Sequence, residues 1–278
     1  GISDGVIVKP GTAMVNIMDD DPATMYVNSS AVGTHNGTSW SNAFTTLQPA
    51  LDEAGPNDQI WVASGTYIPV KQIDGSDARS ACFQMKNDAA IYGGFPNSGS
   101  PAWEERDWRI NSTVLSGNIG DPNIPFDNCY HVFYHPPELA LGGTAVLDGF
   151  TVTGGRADGD AGYHAGGGMY NNGSSPTVTN CTFSINSTGS IGGGMYNRES
   201  APTLTDCTFS ANTAPEAGGM GNTGSSPVLT GCEFLDNVAN AAMGGGMTND
   251  RSSPVLNDCR FLRNSASTKA GALYNTKS

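Results

Sequence analysis

Four cysteines, Cys181, Cys207, Cys232 and Cys259, stand 26, 25 and 27 residues apart, each inside the same run of residue types. The copies read GGGMYNNGSSPTVTNCTFSIN (residues 166–186), GGGMYNRESAPTLTDCTFSAN (192–212), AGGMGNTGSSPVLTGCEFLDN (217–237) and GGGMTNDRSSPVLNDCRFLRN (244–264). A fifth begins as AGALYN at 270. A fixed period of this length means a stack of like units. Within each unit the runs TVTNCTF, TLTDCTF, VLTGCEF and VLNDCRF alternate with period two and lack helical spacing, so the units are made of strands with one face in and one face out. One such unit cannot bury its apolar face alone; equivalent positions must stack on the next coil, roughly 4.8 Å along the axis.

The expected fold is all-β, a right-handed parallel β-helix. Its interior is predicted to hold a Met ladder (Met169, Met195, Met220, Met247, continued by Leu273), a Cys ladder and a Phe ladder (Phe183, Phe209, Phe234, Phe261). Two Asn ladders are predicted at turns, Asn171/Asn197/Asn222/Asn249/Asn275 and Asn186/Asn212/Asn237/Asn264, where side-chain amides bond to the coils above and below. The glycine triplets are read as supplying backbone angles that side chains forbid. The cysteines at the repeat position are expected to be buried free thiols acting as small hydrophobes. Cys82 and Cys129, in less regular sequence, are left open between core and pairing.

The pairing of GGGM segments with Phe183-Ser-Ile-Asn186, Phe209-Ser-Ala-Asn212, Phe234-Leu-Asp-Asn237 and Phe261-Leu-Arg-Asn264 resembles the GGA(I/L) and FxxN repeats of polymorphic outer-membrane proteins, over about residues 145–278. The resemblance implies a secreted, surface-displayed β-helix, adhesive in several members, with repeats that carry no catalytic residues. That family's membrane barrel has no counterpart in this sequence.

In the N-terminal half, residues 46–55 (TLQPALDEAG) place Leu47, Ala50, Leu51 and Ala54 on one helical face, with Gly55 as the stop. This short helix is expected to lie over the open end of the stack, as in pectate-lyase-like β-helices, which the segment resembles. The first coil is expected in NDQIWVASGTY, after the helix, with irregular coils to about residue 144 and regular repeats from about 145, all one domain over 25–278. Residues 1–24 are set apart as an extended segment. Its GTAMVNIMDDDP resembles the closing strand of a Calx-β sandwich, with Ala13, Val15 and Ile17 alternating against Met14, Asn16 and Met18. A single strand needs a partner, which a β-helix flank or a neighbouring molecule supplies by strand addition.

Charge narrows the function classes. Acidic residues number 26 against 13 Lys and Arg, a net charge of −13, which argues against nucleic acid and anionic membrane surfaces. No run of about 18 apolar residues marks a transmembrane segment, and no signal peptide is recognisable. The expected location is extracellular or at the cell surface. Polysaccharide chemistry on a β-helix needs a base near a sugar C–H with a neutralised uronate, or two carboxylates about 5–9 Å apart. The segment Arg156-Ala-Asp158-Gly-Asp160-Ala-Gly-Tyr163-His164 alone has that character, and it reads first as a surface loop. His131, His135 and His164 lack metal-ligand spacing. Asp19 and Asp21, within the acidic run 19–21, are the candidate Ca²⁺ ligands, since hard oxygen donors suit that ion; no other cofactor is expected. The outward repeat positions are Thr, Ser, Asn, Asp and Gly, suited to binding a polymer or a surface rather than to moving protons. The Thr177/Thr179 and Thr203/Thr205 row breaks at Val228 and Val255, too soon for an ice-binding face. The reading is a non-catalytic structural or adhesive module taking a glycan or cell-surface ligand, self-assembling head to tail through its C-terminal end and N-terminal strand; the alternative is a polysaccharide-binding or lyase-like β-helix.

Overall fold

The computed structural model describes residues 22–160 and 162–277. Twenty-six short strands form four parallel sheets, and each regular coil visits them in a fixed order. Sheet 1 has eight strands, from Thr24–Val27 through Gln59–Ala63, Ala90–Phe95 and Val146–Asp148 to Val255–Asn257. Sheet 2 has seven, from Gly65–Tyr67 to Arg260–Leu262, and sheet 3 six, from Phe133–His135 to Leu273–Thr276. Five two-residue strands, from Arg156–Ala157 to Ser265–Ala266, make sheet 4.

The ladders fall where the repeat puts them. Met169, Met195, Met220, Met247 and Leu273 are in register, as are Phe183, Phe209, Phe234 and Phe261. The phenyl rings lie nearly parallel, 5.0, 4.8 and 4.6 Å apart between successive centroids. All six cysteines are free, and five are buried. Burial pushes the Cys82 and Cys181 thiols up to about 12, so they pack as apolar groups and are poor nucleophiles.

Both Asn ladders are continuous. Along sheet 3, each Nδ2 donates to the next Oδ1 from Asn171 through Asn275 at 2.8–2.9 Å. The second ladder is better connected. Asn212 donates from Nδ2 to the Phe183 carbonyl (2.8 Å) and to Asn237 Oδ1 (3.0 Å), while its own Oδ1 accepts the backbone N–H of Asn186 (3.0 Å) and that residue's amide (3.1 Å). Parallel corners leave backbone groups that no strand can reach, and these amides satisfy them.

The glycine triplets work differently from the expectation. Only the first member is left-handed (Gly166 φ +70°, Gly192 φ +71°), and Ala217 holds that conformation at φ +54°. The second and third are glycine because adjacent coils approach too closely: a Cβ on Gly194 would sit 2.7 Å from the Gly219 carbonyl and 2.9 Å from the Phe209 ring. Gly194→Ala is therefore expected to cost about 1–3 kcal/mol, read as a lower urea midpoint. An equal stability would show that the coils separate freely.

The helix spans Leu47–Glu53, and Leu47, Ala50, Leu51 and Ala54 are buried in the main core. Two points differ from expectation. The strand Thr24–Val27 precedes the helix and pairs with Gln59–Ala63, so the solenoid starts one coil earlier than the segment at 58, with the helix inside that coil. The stop is not a left-handed Gly55; its N–H donates to Asp58 Oδ2 at 2.7 Å, and Pro56 follows. The Calx-β-like strand with Ala13, Val15 and Ile17, and the acidic run holding Asp19 and Asp21, lie outside the described residues.

A second, smaller core lies on the outer face of sheet 1. Trp40 and Phe95 are buried there against Tyr26, Trp61 and Tyr92, and Trp40 Nε1 donates to the Pro101 carbonyl at 2.8 Å. Loops flanking the early strands thus cover a face that later coils occupy with residues such as Thr177, Thr205 and Val228.

Candidate functional site

The strand Arg156–Ala157 of sheet 4 carries Arg156 outward and leads into Asp158. A second arginine arrives from far back in the chain: Arg79, on the 3-10 turn Ala78–Ser80, places Nη2 2.6 Å from Asp158 Oδ1 while Arg156 Nε lies 2.6 Å from Oδ2. Arg79 is itself fixed by the carbonyls of Asn128 (2.7 Å) and Arg156 (2.8 Å), with its guanidinium 4.2 Å above the Tyr130 ring. Burial would raise the Asp158 carboxyl, but the bonds and charge of Arg79, then of Arg156, outweigh it and hold the group below its ordinary value. Asp158 is consequently an ionised, doubly paired carboxylate and a weak base. Asp160 and His164 are exposed on the loop beyond it.

Aromatic rings continue from this cluster along the molecule. Tyr130 stacks on Tyr163 at 4.8 Å, and His131 lies 6.0 Å from Tyr163 and 5.3 Å from Tyr134. Tyr134, Tyr170 and Tyr196 then occupy one outward register position on successive strands of sheet 3, 5.4 and 5.2 Å apart. The row stops at Gly221, where Ile191 fills the space above the backbone. Beyond Tyr196 is a hollow of about 340 Å³ lined by Arg198, Glu199, Thr223, Gly224 and Arg251.

The histidines are structural. His135 caps the Asn ladder: Nδ1 bonds Asn171 Oδ1 at 2.7 Å, and since that amide's Nδ2 already donates onward, His135 Nδ1 must carry the proton. Nε2 then accepts the Met85 N–H at 3.3 Å. The neutral ring is fully satisfied, and a second proton would face an N–H. Burial accordingly drives His135, and likewise His131, down to about 4. For each ring the unfolded chain takes a proton near pH 6.5 and the folded one only near 4, so stability is full above 6.5 and falls as pH drops toward 4. The loss is of order 3 kcal/mol per ring. His135→Asn, which extends the Asn ladder by one coil, is expected to keep the urea midpoint at pH 7 and to flatten its fall between pH 6.5 and 4. An unchanged acid slope would show that His135 does not carry it.

Of the segment Arg156–His164, read from sequence as a surface loop, Arg156 lies on a strand and meets Asp158, and Arg79 and Tyr130 join them without any mark in the sequence. Arg79 sits in irregular sequence 79 residues from Asp158 and carries no motif. Among the described residues, no three His, Cys, Asp or Glu side chains gather as a metal set, and no helix is long and apolar enough to cross a membrane.

Coils, ladders and a flank of rings define a right-handed parallel β-helix repeat protein. Residues 142–278 match the family described as "Right handed beta helix region". Two solved structures are similar to the chain: a crystal structure of pectate lyase Pel9A (18% identity, TM-score 0.42) and a rhamnogalacturonan lyase (12% identity, TM-score 0.42). They cover 84% and 92% of this chain, which spans only 54% and 63% of theirs. No curated protein matches the sequence.

Proposed function

We propose that this chain is a non-catalytic β-helix module, secreted or displayed at a cell surface, whose work is structural or adhesive. The observation that carries the reading is the state of Asp158: the carboxylate of the candidate catalytic segment is held by two arginines at 2.6 Å and kept ionised. General-base work wants a group near neutrality with an oxygen free to take a substrate proton, whereas this carboxyl is held below its ordinary value with each oxygen paired to a guanidinium. The resemblance of the GGGM and FxxN repeats to surface-displayed β-helices supports the same reading.

The adhesive surface is the tyrosine row of sheet 3. Half-exposed Tyr134 and Tyr196 offer flat apolar faces beside the charges of Arg198 and Glu199, a mixture that suits the alternating C–H and hydroxyl surface of a glycan. Retention of the chain on immobilised cell-wall polysaccharides, compared with Tyr196→Ala, tests this. The expected result is at least about a tenfold loss of affinity, consistent with removal of an aromatic anchor; equal retention would remove the tyrosine face from the account.

Self-association is the second element. Successive coils pair identical strands in parallel register, and a second copy carrying the same repeat offers the same pairing surface. Sedimentation velocity over a range of concentrations is expected to show species larger than the monomer. A single monomeric species at the highest concentration contradicts assembly without touching the adhesive reading.

A further inference from the structure

We propose that the loop 117–128 is a binding site for a hard divalent cation, Ca²⁺ by its donor set. The loop leaves the stack between Thr113–Ser116 and Phe133–His135 and closes on itself, because the Gly117 carbonyl accepts the N–H groups of both Ile119 (2.9 Å) and Cys129 (2.8 Å). Asn118 and Asn128 are thereby brought to the two sides of its neck. Three side-chain oxygens in this one loop, Asn118 Oδ1, Asp127 Oδ1 and Asn128 Oδ1, are shut away from solvent without a hydrogen-bond donor. Only two other buried side-chain polar atoms among the described residues share that condition, Gln48 Oε1 and His131 Nε2.

Buried acceptors are almost always partnered, so three orphans in a dozen residues point to an absent electrophile. Asn128 is the strongest witness. Its side chain is more than nine-tenths buried, and its Nδ2 donates to the Gly154 carbonyl at 2.6 Å, which fixes the amide orientation and leaves Oδ1 as the free end. A Cβ on Gly154 would lie 3.5 Å from that Nδ2 and 3.6 Å from the Asn118 nitrogen, so both flank Gly154 at the neck. Asp127 precedes Asn128 in the chain. Its Oδ2 accepts the Asp121 N–H at 2.8 Å, leaving Oδ1 unpartnered, and Gly120 is glycine because a Cβ would come within 3.0 Å of that oxygen.

The donors are one carboxylate and two amide oxygens, with no nitrogen or sulfur, which selects against zinc and copper. Ca²⁺ takes six to eight oxygens in flexible geometry and completes its shell with carbonyls and water, whereas Mg²⁺ demands a near-ideal octahedron. Two guanidiniums stand near, Arg79 on the Asn128 carbonyl and Arg156 4.3 Å from the Phe126 ring; Asp158 offsets one of their two positive charges, and Asp127 supplies the negative charge of the site itself. Its donors are residues other than Asp19 and Asp21, and the proposal does not rest on the adhesive reading.

The test is a calorimetric titration of CaCl₂ into chelator-treated protein, with melting temperature followed in parallel, for the parent chain, Asp127→Asn and Asn118→Ala. The parent is expected to bind Ca²⁺ and gain several degrees in Tm at about a hundredfold excess over Kd, with no gain from MgCl₂. Asp127→Asn is expected to abolish that gain and Asn118→Ala to weaken binding about tenfold or more. Asn118→Ala leaves every backbone bond of the neck in place, so it remains informative if Asp127→Asn fails to fold. Absence of heat and Tm change in the parent overturns the proposal, since water then fills the neck; an undiminished response in both variants overturns it too, placing the ion elsewhere.

Discussion

Phe209→Ala is expected to lower the unfolding free energy by about 3–5 kcal/mol, the largest effect of any single truncation in the stack. Phe209 is fully buried and lies between Phe183 and Phe234 at 5.0 and 4.8 Å, with rings within 7° of parallel. Its neighbours are held by parallel backbone pairing on both sides, so the coils cannot close over the space, and the cavity term remains in full. Phe209→Leu keeps most of the volume and is expected to lose under half as much. The half-exposed Phe261 supplies the control, because its truncation removes less buried area. Urea unfolding of the three variants checks the order; equal midpoints for the positions 209 and 261 would show that the rings are not a continuous stack.

Asn212→Leu is expected to be nearly as damaging although it makes the interior more apolar. The substitution strips the Phe183 carbonyl and the Asn186 N–H of their partners and removes one of two donors to Asn237 Oδ1. Each buried orphan costs about 1–3 kcal/mol, so a total of about 2–6 kcal/mol is expected. Asn212→Asp keeps the acceptor but turns a carboxylate toward a carbonyl and an amide oxygen, and is expected to be at least as harmful at pH 7. Because solenoid coils couple only to their neighbours, either variant should also uncouple the flanking coils and lower the denaturant dependence. A leucine variant as stable as the parent would mean that the amide ladder satisfies nothing essential.

The repeats were legible because each coil reuses one residue type per position. Met, Phe and Asn recur at about 26 residues, and a parallel stack places identical side chains in register, so spacing alone predicts the contacts. The Phe ladder extends one coil earlier through Val152, which pairs with Phe183. Where identity stopped recurring, legibility stopped. The strand Thr24–Val27 belongs to the stack through its pairing with Gln59–Ala63, a relation between dissimilar residues 35 apart that no period marks. Trp40, Trp61 and Phe95 meet on the outer face of sheet 1 for the same unmarked reason, and Arg79 meets Asp158 only because two irregular coils lie side by side. The glycine triplets show a different limit. Their composition announced tight backbone, but whether a glycine serves conformation or close approach depends on the neighbouring coil, as at Gly192 and Gly194.

The central functional claim is that the cluster around Asp158 is a structural ion pair set and not an acid or base. Prolonged incubation with polygalacturonate and with alginate, followed by ultraviolet absorbance for the unsaturated ends left by elimination and by a reducing-end assay for hydrolysis, tests it most directly. The account predicts no product above a heat-inactivated control, with or without Ca²⁺, and no difference between the parent and Asp158→Ala. Product that forms with the parent chain and disappears with Asp158→Ala would contradict it and make the protein a polysaccharide-degrading enzyme.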